Sequence, residues 1–543
     1  MRCDLFKLLV LSVILGTAPL VAQDGAPAKG NEGKKAQPEK PLTAGSLAKL
    51  LIFSKEITRV TDHKTKQGLP DYAAALNDHF GKGVLPEENG AVSLYEGFGP
   101  EPEGARMSDE FFELLGMPVP SADGKYFRSF SADLPVEERR DAIDKEFNFA
   151  YERPWNEDEF PRVEKWLREN EKAVATIVEG ASRPKYFSPL VPPVDDKGVS
   201  NGLIGTLLPG IQQSRSVARY LICRSMLSIK KGDADAAWQD LMSCHRFGHM
   251  ISRGPTLIDY LVGTAINQIA TNADIIYLDQ LDLNVEQLAR CRRDLASLPP
   301  MPSVAQKLDW TERMMFLDSA LLLGCGQLNA LDLGTVPSTG MEAFATRLAL
   351  LSVDWNVVLR TGNERYDRVV VGINHDTYSE RAAALAAFED ELKDTKKNVS
   401  VSGFLKATVT EGSGRAAAGK MMGDVLSALL LPAISAVNKA HGRAEQTRHN
   451  LHIAFALAEW KQKNGSYPDS LNKLVPAYMP KAPTDVFTGK TLQYRREGDG
   501  FLIYSVGVNL DDENGLSYDD DPAGDDLVVR LPIPVAKDDN QDN

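Results

Sequence analysis

Two apolar stripes near the middle of the chain constrain its fold more than any other feature. In both segments apolar or small residues recur at spacings of 3 or 4, which places them on one face of an α-helix. The stripes comprise Ala218, Ile222, Met226 and Ile229, followed by Ala234, Ala237, Leu241, Cys244 and Gly248. Lys231-Gly232-Asp233 interrupts the pattern, so we expect two helices joined by a tight turn. The small residues of the second stripe allow close helix–helix contact.

The rest of the segment 44–420 also favours helices, although not at a fixed repeat length. A capping box is formed by Asn284 and Gln287, which predicts a helix start at that point. Segments 83–135 and 183–208 are rich in Gly and Pro and are expected to be irregular. A short strand is one interpretation of 369–371, and 398–420 reads as a linker. We expect further helices at 44–82, 163–177, 257–278, 303–325, 341–352 and 378–395. The prediction is an irregular helical body over 44–420.

The N-terminus has the pattern of a signal peptide. Arg2 and Lys7 precede an apolar run at 8–15, and small residues follow it. The run is shorter than the roughly 20 residues that a membrane span needs. We therefore expect residues 1–22 to be a signal peptide and the protein to be periplasmic or extracellular, with no integral membrane span after signal removal. The compositions of 23–43 and 534–543 predict a disordered linker and a disordered tail.

The charge balance of the chain limits its partners. The formal net charge is −14, which disfavours contact with nucleic-acid phosphates and favours cations. Past the leader there are four cysteines, Cys223, Cys244, Cys291 and Cys325, at irregular spacings. Buried free thiols are the expected state, and one disulfide is the alternative for an exported protein.

The C-terminal part, 421–533, reads as an α+β module. An apolar run at 425–437, which includes Pro432, predicts a buried helix that introduces it. A helix with a broad apolar face is expected at 441–463, and Asn464-Gly465 supplies its end. Two short alternating segments flank Gly498-Asp499-Gly500, which is a hairpin signal. The fold class expected for the whole chain is mainly α with this C-terminal α+β module, in which a long helix is followed by a small antiparallel sheet.

Several motifs of this module resemble the globular domain of type II secretion major pseudopilins. They are Asn464-Gly465-x-Tyr467-Pro468, Leu471-x-x-Leu474, Pro483-x-Asp485, Tyr494, Ser505-Val506-Gly507 and Asp525-Asp526-Leu527. The resemblance covers roughly residues 440–530. It implies a domain that binds calcium and assembles and is not an enzyme. No prepilin-peptidase cleavage motif precedes the helix, so a working pilus subunit is not expected. The whole chain looks like a large exported bacterial protein of unknown function that ends in such a module.

An acidic loop lies where the resemblance places a calcium site. Eight carboxylates fall within 511–526 with no Lys or Arg, and calcium accepts six to eight oxygen ligands in irregular geometry. The resemblance makes the following residues candidate ligands: Asn509, Asp511, Asp512, Asp521 and Asp526. The spacing is not that of an EF-hand. The alternative is an acidic loop that is merely solvated.

Histidines offer a second, weaker candidate for a metal site. His245 and His249 are four residues apart on a predicted helix, a spacing that suits zinc. The Glu of an H-E-x-x-H metalloprotease is absent between them. Histidines packed in the core are the favoured interpretation. His449 and His452 lie on the C-terminal helix and are expected to be exposed.

No motif for a specific reaction occurs in the chain. We therefore predict an exported non-catalytic binding or envelope-assembly protein, whose partner is an unknown protein or envelope component and whose C-terminal module holds calcium. The alternative is a secreted hydrolase with its site in the helical body. A deep pocket lined by two facing carboxylates would favour that alternative.

Overall fold

The computed structural model describes residues 43–534 apart from 133, 195–199, 207–209, 328–350, 399–413 and 432. The signal-peptide prediction and almost all of the linker and tail predictions lie outside these residues. So do most of the helix expected at 341–352 and most of the linker at 398–420.

The described chain is mostly helical. Its α-helices are α1 (Ala44–Ala48), α2 (Tyr72–Gly81), α3 (Gly90–Phe98), α4 (Asp109–Leu115), α5 (Val136–Ala142), α6 (Asn148–Glu152), α7 (Pro161–Ala181), α8 (Ile211–Lys230), α9 (Ala234–Ser252), α10 (Leu257–Gln280), α11 (Val285–Ala296), α12 (Val304–Lys307), α13 (Arg313–Gly324), α14 (Trp355–Ile373), α15 (Tyr378–Asn398), α16 (Arg415–Leu430) and α17 (Ile434–Asn464). Single π turns join α5 to α6 (Ile143–Phe147) and α12 to α13 (Leu308–Glu312).

Three strands follow α17. They are β1 (Gln493–Glu497), β2 (Gly500–Ser505) and β3 (Leu527–Leu531), and they form one antiparallel sheet in the order β1-β2-β3. Glu497 pairs with Gly500, so Gly498 and Asp499 form the predicted hairpin turn. The expected fold class, mainly α with a C-terminal α+β module, is confirmed.

The helical pair expected from the two stripes is present as α8 and α9, which pack against each other. Ala218, Leu241 and Cys244 are fully buried in it. Asn284 caps α11, and Gln287 completes the capping box through its side chain. These predictions rest on local signals, and the structure confirms them.

Other local predictions were wrong. The segment 44–82 contains two separate helices, and 83–135 contains α3 and α4. The suggested strand at 369–371 is part of helix α14, whose buried face includes Val358, Tyr366 and Val369. The apolar run at 425–437 is not one helix, because α16 ends at Leu430 and α17 begins at Ile434.

Two hydrophobic cores hold the helical body. The first joins α3, α7, α8, α9, α10 and α11 around Trp155, Phe247 and Tyr277. The second joins α13, α14, α15 and α16 around Phe316 and Tyr366. A third core lies between α17 and the sheet, where Leu457, Phe501 and Ile503 are completely buried.

Helix α17 contributes to all three cores. Ile434 and Val437 near its start belong to the second body core, and its later turns contribute to the other two from opposite sides. Leu451 and Phe455 belong to the first body core, and the Phe455 ring lies 5.4 Å from that of Trp238. Ile453 and Leu457 belong to the sheet core. The helix therefore joins the C-terminal module directly to the body.

Within the described residues, the stretch Arg415–Asn464, which comprises α16 and α17, is long and apolar enough by composition to cross a membrane, and 53% of its most apolar window is buried inside the protein. Core helices of soluble proteins meet the same criterion, so the expectation of no span remains a prediction. Cys223, Cys244, Cys291 and Cys325 are all free thiols, and the first three are buried.

Candidate functional site

The acidic loop is closed at its base by the sheet. Ser505 at the end of β2 pairs with Leu527 at the start of β3, so residues 506–526 leave and rejoin the sheet at the same place. Gly507 has a φ of +68°, and a Cβ there would lie 2.3 Å from the carbonyl oxygen of Asp525. The two arms of the loop therefore touch at the base, and only glycine fits this approach.

Asp485 fixes the same base from outside the loop. Its carboxylate is buried and accepts hydrogen bonds from the amides of Phe487 (2.7 Å), Thr488 (3.0 Å) and Val506 (3.1 Å). Asp485 and Val506 come from two of the motifs that carry the pseudopilin resemblance. Both motifs therefore have a structural role at the start of the acidic loop.

Asp525 and Asp526 form the closing arm of the loop. Asp525 Oδ2 accepts from the amides of Val508 (3.1 Å) and Asn509 (3.2 Å). Asp526 is only 3% exposed, and its Oδ2 accepts from the amide of Gly515 at 2.7 Å. The second oxygen of each carboxylate, Oδ1, is buried and has no hydrogen-bond partner.

Glu513 places a further carboxylate beside Asp526. Its Oε1 accepts from Asn509 Nδ2 at 2.5 Å, and its Oε2 is buried without a partner. The pKa of Asp526 is raised to about 7, chiefly by burial and also by the neighbouring carboxylates of Glu513 and Asp512. Several carboxylates therefore lie near Asp526, and there are too few hydrogen-bond donors to satisfy their oxygens.

The structure separates the predicted ligands into two sets. Asp512 lies near Asp526, and its Oδ1 accepts from the Tyr504 hydroxyl at 3.1 Å. Asn509 contacts Glu513 and belongs to the same group. The four predicted ligands other than Asp526 are all exposed, but among the described residues no contact joins the side chains of Asp511 and Asp521 to Asp526 or Glu513. Glu513 was missed from the sequence because its burial depends on the fold, although it lies in the same carboxylate run.

The donor set fits calcium in chemistry. Within the described residues, no group of three or more His, Cys, Asp or Glu side chains is already arranged around one metal position. Calcium, however, also accepts amide and backbone carbonyl oxygens and water. Three buried carboxylate oxygens without partners are unusual, because buried polar atoms are nearly always hydrogen-bonded. A cation would satisfy them.

One member of the histidine pair, His245, is hydrogen-bonded to protein groups through both ring nitrogens. His245 Nε2 lies 2.7 Å from Asp274 Oδ2, and Nδ1 lies 3.1 Å from Asn267 Oδ1. Both ring nitrogens therefore have partners, so His245 is not free to bind zinc in this arrangement. Its pKa is raised: burial acts to lower it, and the Asp274 carboxylate more than offsets that effect. Packing in the core, the favoured interpretation, agrees with the burial of His245 and His249.

A second concave feature lies in the helical body. Its cavity volume is about 840 Å³, and it lies between α2, the segments 187–192 and 200–203, and α13. Asp71 and Asp318 both line it. Burial raises the pKa of Asp318 to about 6, and Asp71 contributes to the increase. The sequence did not indicate this cleft, because its residues are distant from one another along the chain.

No protein-family model matches the chain, and the searches of curated proteins and of solved structures give no match either. The function is therefore argued from the site itself.

Proposed function

We propose that this protein is an exported, non-catalytic binding or envelope-assembly protein whose C-terminal module holds one structural calcium ion in the loop between β2 and β3. The observation that carries the calcium proposal is the set of buried carboxylate oxygens without partners on Glu513, Asp525 and Asp526. The signal-peptide pattern supports export, and the pseudopilin resemblance supports an assembly role.

The ion would act on the loop by offsetting repulsion. Asp526 and Glu513 are the central ligands of this proposal, with Asp512 and Asn509 beside them. Asp511 and Asp521 are not assigned as ligands, because no contact joins their side chains to Asp526 or Glu513 among the described residues. Neutralising the carboxylates would fix the loop against the base formed by Gly507 and Asp485. A fixed loop would give the module a defined surface for a partner protein.

Thermal unfolding of the full chain tests the calcium site. We expect calcium chloride to raise the melting temperature relative to a chelator, because a ligand that binds only the native state stabilises it by about 2.7 kcal/mol at a hundredfold excess over Kd. Glu513→Gln and Asp526→Asn should remove this gain. Asp519→Asn, an exposed change in the same loop, is the matched control and should keep it.

Two results would contradict the calcium proposal. One is a melting temperature that calcium does not change in a chain that folds normally. The other is a gain that all three variants retain. In the first case Asp526 and Glu513 would share a proton. Glu513→Gln should then stabilise the protein at neutral pH with or without calcium, because the Gln amide can donate to Asp526 without the uptake of a proton.

One observation favours the alternative, a hydrolase with its site in the helical body. Asp71 and Asp318 line one cleft, and the pKa of Asp318, about 6, would suit a general acid. Release of 4-nitrophenol from 4-nitrophenyl glycosides and esters would test it. Release that Asp318→Asn abolishes would support the hydrolase, and release unchanged by Asp318→Asn, or none at all, would count against it.

A further inference from the structure

We propose that the cleft between α2, the segments 187–192 and 200–203, and α13 binds a primary ammonium group on an unbranched apolar stem. This site is separate from the acidic loop and does not depend on calcium. Its residues bring together negative charge, hydrogen-bond acceptors without donors and apolar walls, and each of these features restricts the ligand.

The charge of the cleft favours a cation. Among the described residues that line it, four are carboxylates and one is a lysine: Asp71, Asp78, Glu110 and Asp318 against Lys82. Asp78 also lies 3.9 Å from His63. The remaining carboxylates repel anionic ligands, and burial of Asp318 strengthens its interaction with any cation that reaches it.

Asp71 and Asp318 each use one carboxylate oxygen in a hydrogen bond to a backbone amide. Asp71 Oδ1 accepts from the amide of Ala74 at 2.9 Å, and Asp318 Oδ2 accepts from the amide of Leu203 at 2.7 Å. The other oxygen of each carboxylate has no donor among the described residues. A ligand donor could therefore bind without breaking a protein hydrogen bond.

Tyr72 provides an independent indication of a missing partner. It lines the cleft and is 1% exposed, and its hydroxyl is buried without a hydrogen-bond partner. Burial raises the pKa of this hydroxyl, and the charge of Asp318 adds to the increase, which places the two groups near each other. Gln327 Oε1 also lines the cleft and has no partner. The groups in the cleft that lack hydrogen-bond partners are therefore mostly acceptors.

An ammonium group matches this set of acceptors. It carries three donors and no acceptor, and its hydrogen bonds to carboxylates are charge-assisted. Asp71, Asp318 and the Tyr72 oxygen would receive these donors. The other walls are apolar and suit a hydrocarbon stem; they include Leu69, Phe187, Leu190, Val191 and Leu321. Both a free alkyl diamine and the lysine side chain of a polypeptide have this chemistry.

Calorimetric titration of the full chain with 1,5-diaminopentane tests the proposal. We expect saturable binding, and at least tenfold weaker binding of 1,5-pentanediol, which keeps the stem and lacks the charge. Asp318→Asn, Asp71→Asn and Tyr72→Phe should each weaken diamine binding, the two Asp variants at least tenfold. Asn caps helices as well as Asp does, so Asp71→Asn keeps α2 intact even if Asp318→Asn impairs folding. Asp123→Asn, an exposed carboxylate outside the cleft, is the control.

A parallel titration with the peptide acetyl-Gly-Lys-Gly-amide distinguishes the sources of the ammonium group. Binding of the peptide with the same dependence on Asp71 would assign the cleft to a lysine of a partner polypeptide. Binding of the diamine alone would assign it to a small amine. The proposal is overturned if neither binds, if the diol binds as tightly as the diamine, or if Asp71→Asn and Tyr72→Phe bind the diamine like the wild type.

Discussion

Asp485 connects two separate segments of the C-terminal module. Its buried carboxylate accepts three backbone amides, two just after it and one at the end of β2. It thereby ties the loop before β1 to the entrance of the acidic loop. The Pro483-x-Asp485 motif in the sequence accordingly corresponds to a structural link.

We predict that Asp485→Ala lowers the free energy of unfolding by about 3 kcal/mol or more, because each buried amide left without an acceptor costs about 1–3 kcal/mol. Urea unfolding of the full chain measures this. Asp499→Ala, on the exposed hairpin turn, is the matched control and should have little effect. Equal losses in the two variants would show that the carboxylate of Asp485 is not the cause.

A second residue-scale prediction concerns Gly507. Both Gly507 and Gly489 have left-handed backbone, with φ of +68° and +69°, but a Cβ at Gly489 would meet nothing within 4 Å. Gly489→Ala should therefore cost only the conformational penalty of about 1–2 kcal/mol. Gly507→Ala should cost clearly more, because its Cβ would meet the Asp525 carbonyl. Urea unfolding compares the two variants, and equal losses would contradict the close approach.

Among the elements, those with local signals were predicted best. The apolar stripes of α8 and α9 are local signals, because each lies within the helix that it predicts. The capping box of α11 is also local, since it spans only the first residues of that helix. The β-branched run at 369–371 misled the prediction, because α14 buries Val369 against a helical neighbour and packing overrides strand propensity. Strand β3 was missed, since it forms by pairing with β2 across the whole acidic loop.

For the candidate sites too, local sequence signals were found and features that depend on the fold were missed. The loop was located from its composition and from the resemblance, but Glu513 and its buried oxygen were not expected. Burial of that oxygen depends on how the two arms of the loop meet. The cleft was not predicted at all, because Asp71 and Asp318 belong to elements that meet only in the folded chain.

The contact between α9 and α17 should make stability depend on pH. Burial lowers the pKa of His249 to about 3 and that of His452 to about 4, with His245 and Arg448 adding to both effects and Arg292 also acting on His452. In the unfolded chain both residues should titrate near pH 6.5. The unfolded chain therefore binds more protons below that pH, and the stability present above it is lost as pH falls toward 4.

We accordingly predict that His452→Gln shows a smaller loss of melting temperature between pH 7 and pH 4.5 than the wild type does. The exposed His375 offers the control His375→Gln, which should follow the wild type. Thermal scans at several pH values provide the measurement. A His452→Gln profile parallel to that of the wild type would mean that this ring does not contribute to the acid sensitivity.

At the scale of the whole molecule, α17 makes the module and the body one structure. Besides its two apolar faces, the helix carries Glu459, whose carboxylate pairs with Arg292 of α11 at 2.5 Å. At the far end of the sheet, the amide of Ile533 donates to Asp279 of α10 at 3.0 Å. The C-terminal module therefore contacts the body both through α17 and just after β3.

We predict that replacing both Leu451 and Phe455 by Ser improves the behaviour of a C-terminal fragment and destabilises the full chain. In a fragment spanning 434–534, Leu451 and Phe455 would be exposed, so the fragment should associate, and Leu451→Ser with Phe455→Ser should make it monomeric. In the full chain the same pair should strongly lower the melting temperature, because large-to-small changes in a core cost several kcal/mol. Size-exclusion chromatography and thermal unfolding measure the two effects. A wild-type fragment that is monomeric and stable would contradict this dependence.

The outer edge of β1 affects whether two molecules of this protein can associate through their sheets. The strand pairs with β2 on one side, and Arg495, Arg496 and Glu497 along it are exposed. Charged side chains on an edge strand oppose the docking of another strand against its free backbone groups. The sheet is thereby protected from extension into an intermolecular β-structure, and crowded molecules in a concentrated compartment should not polymerise through this edge.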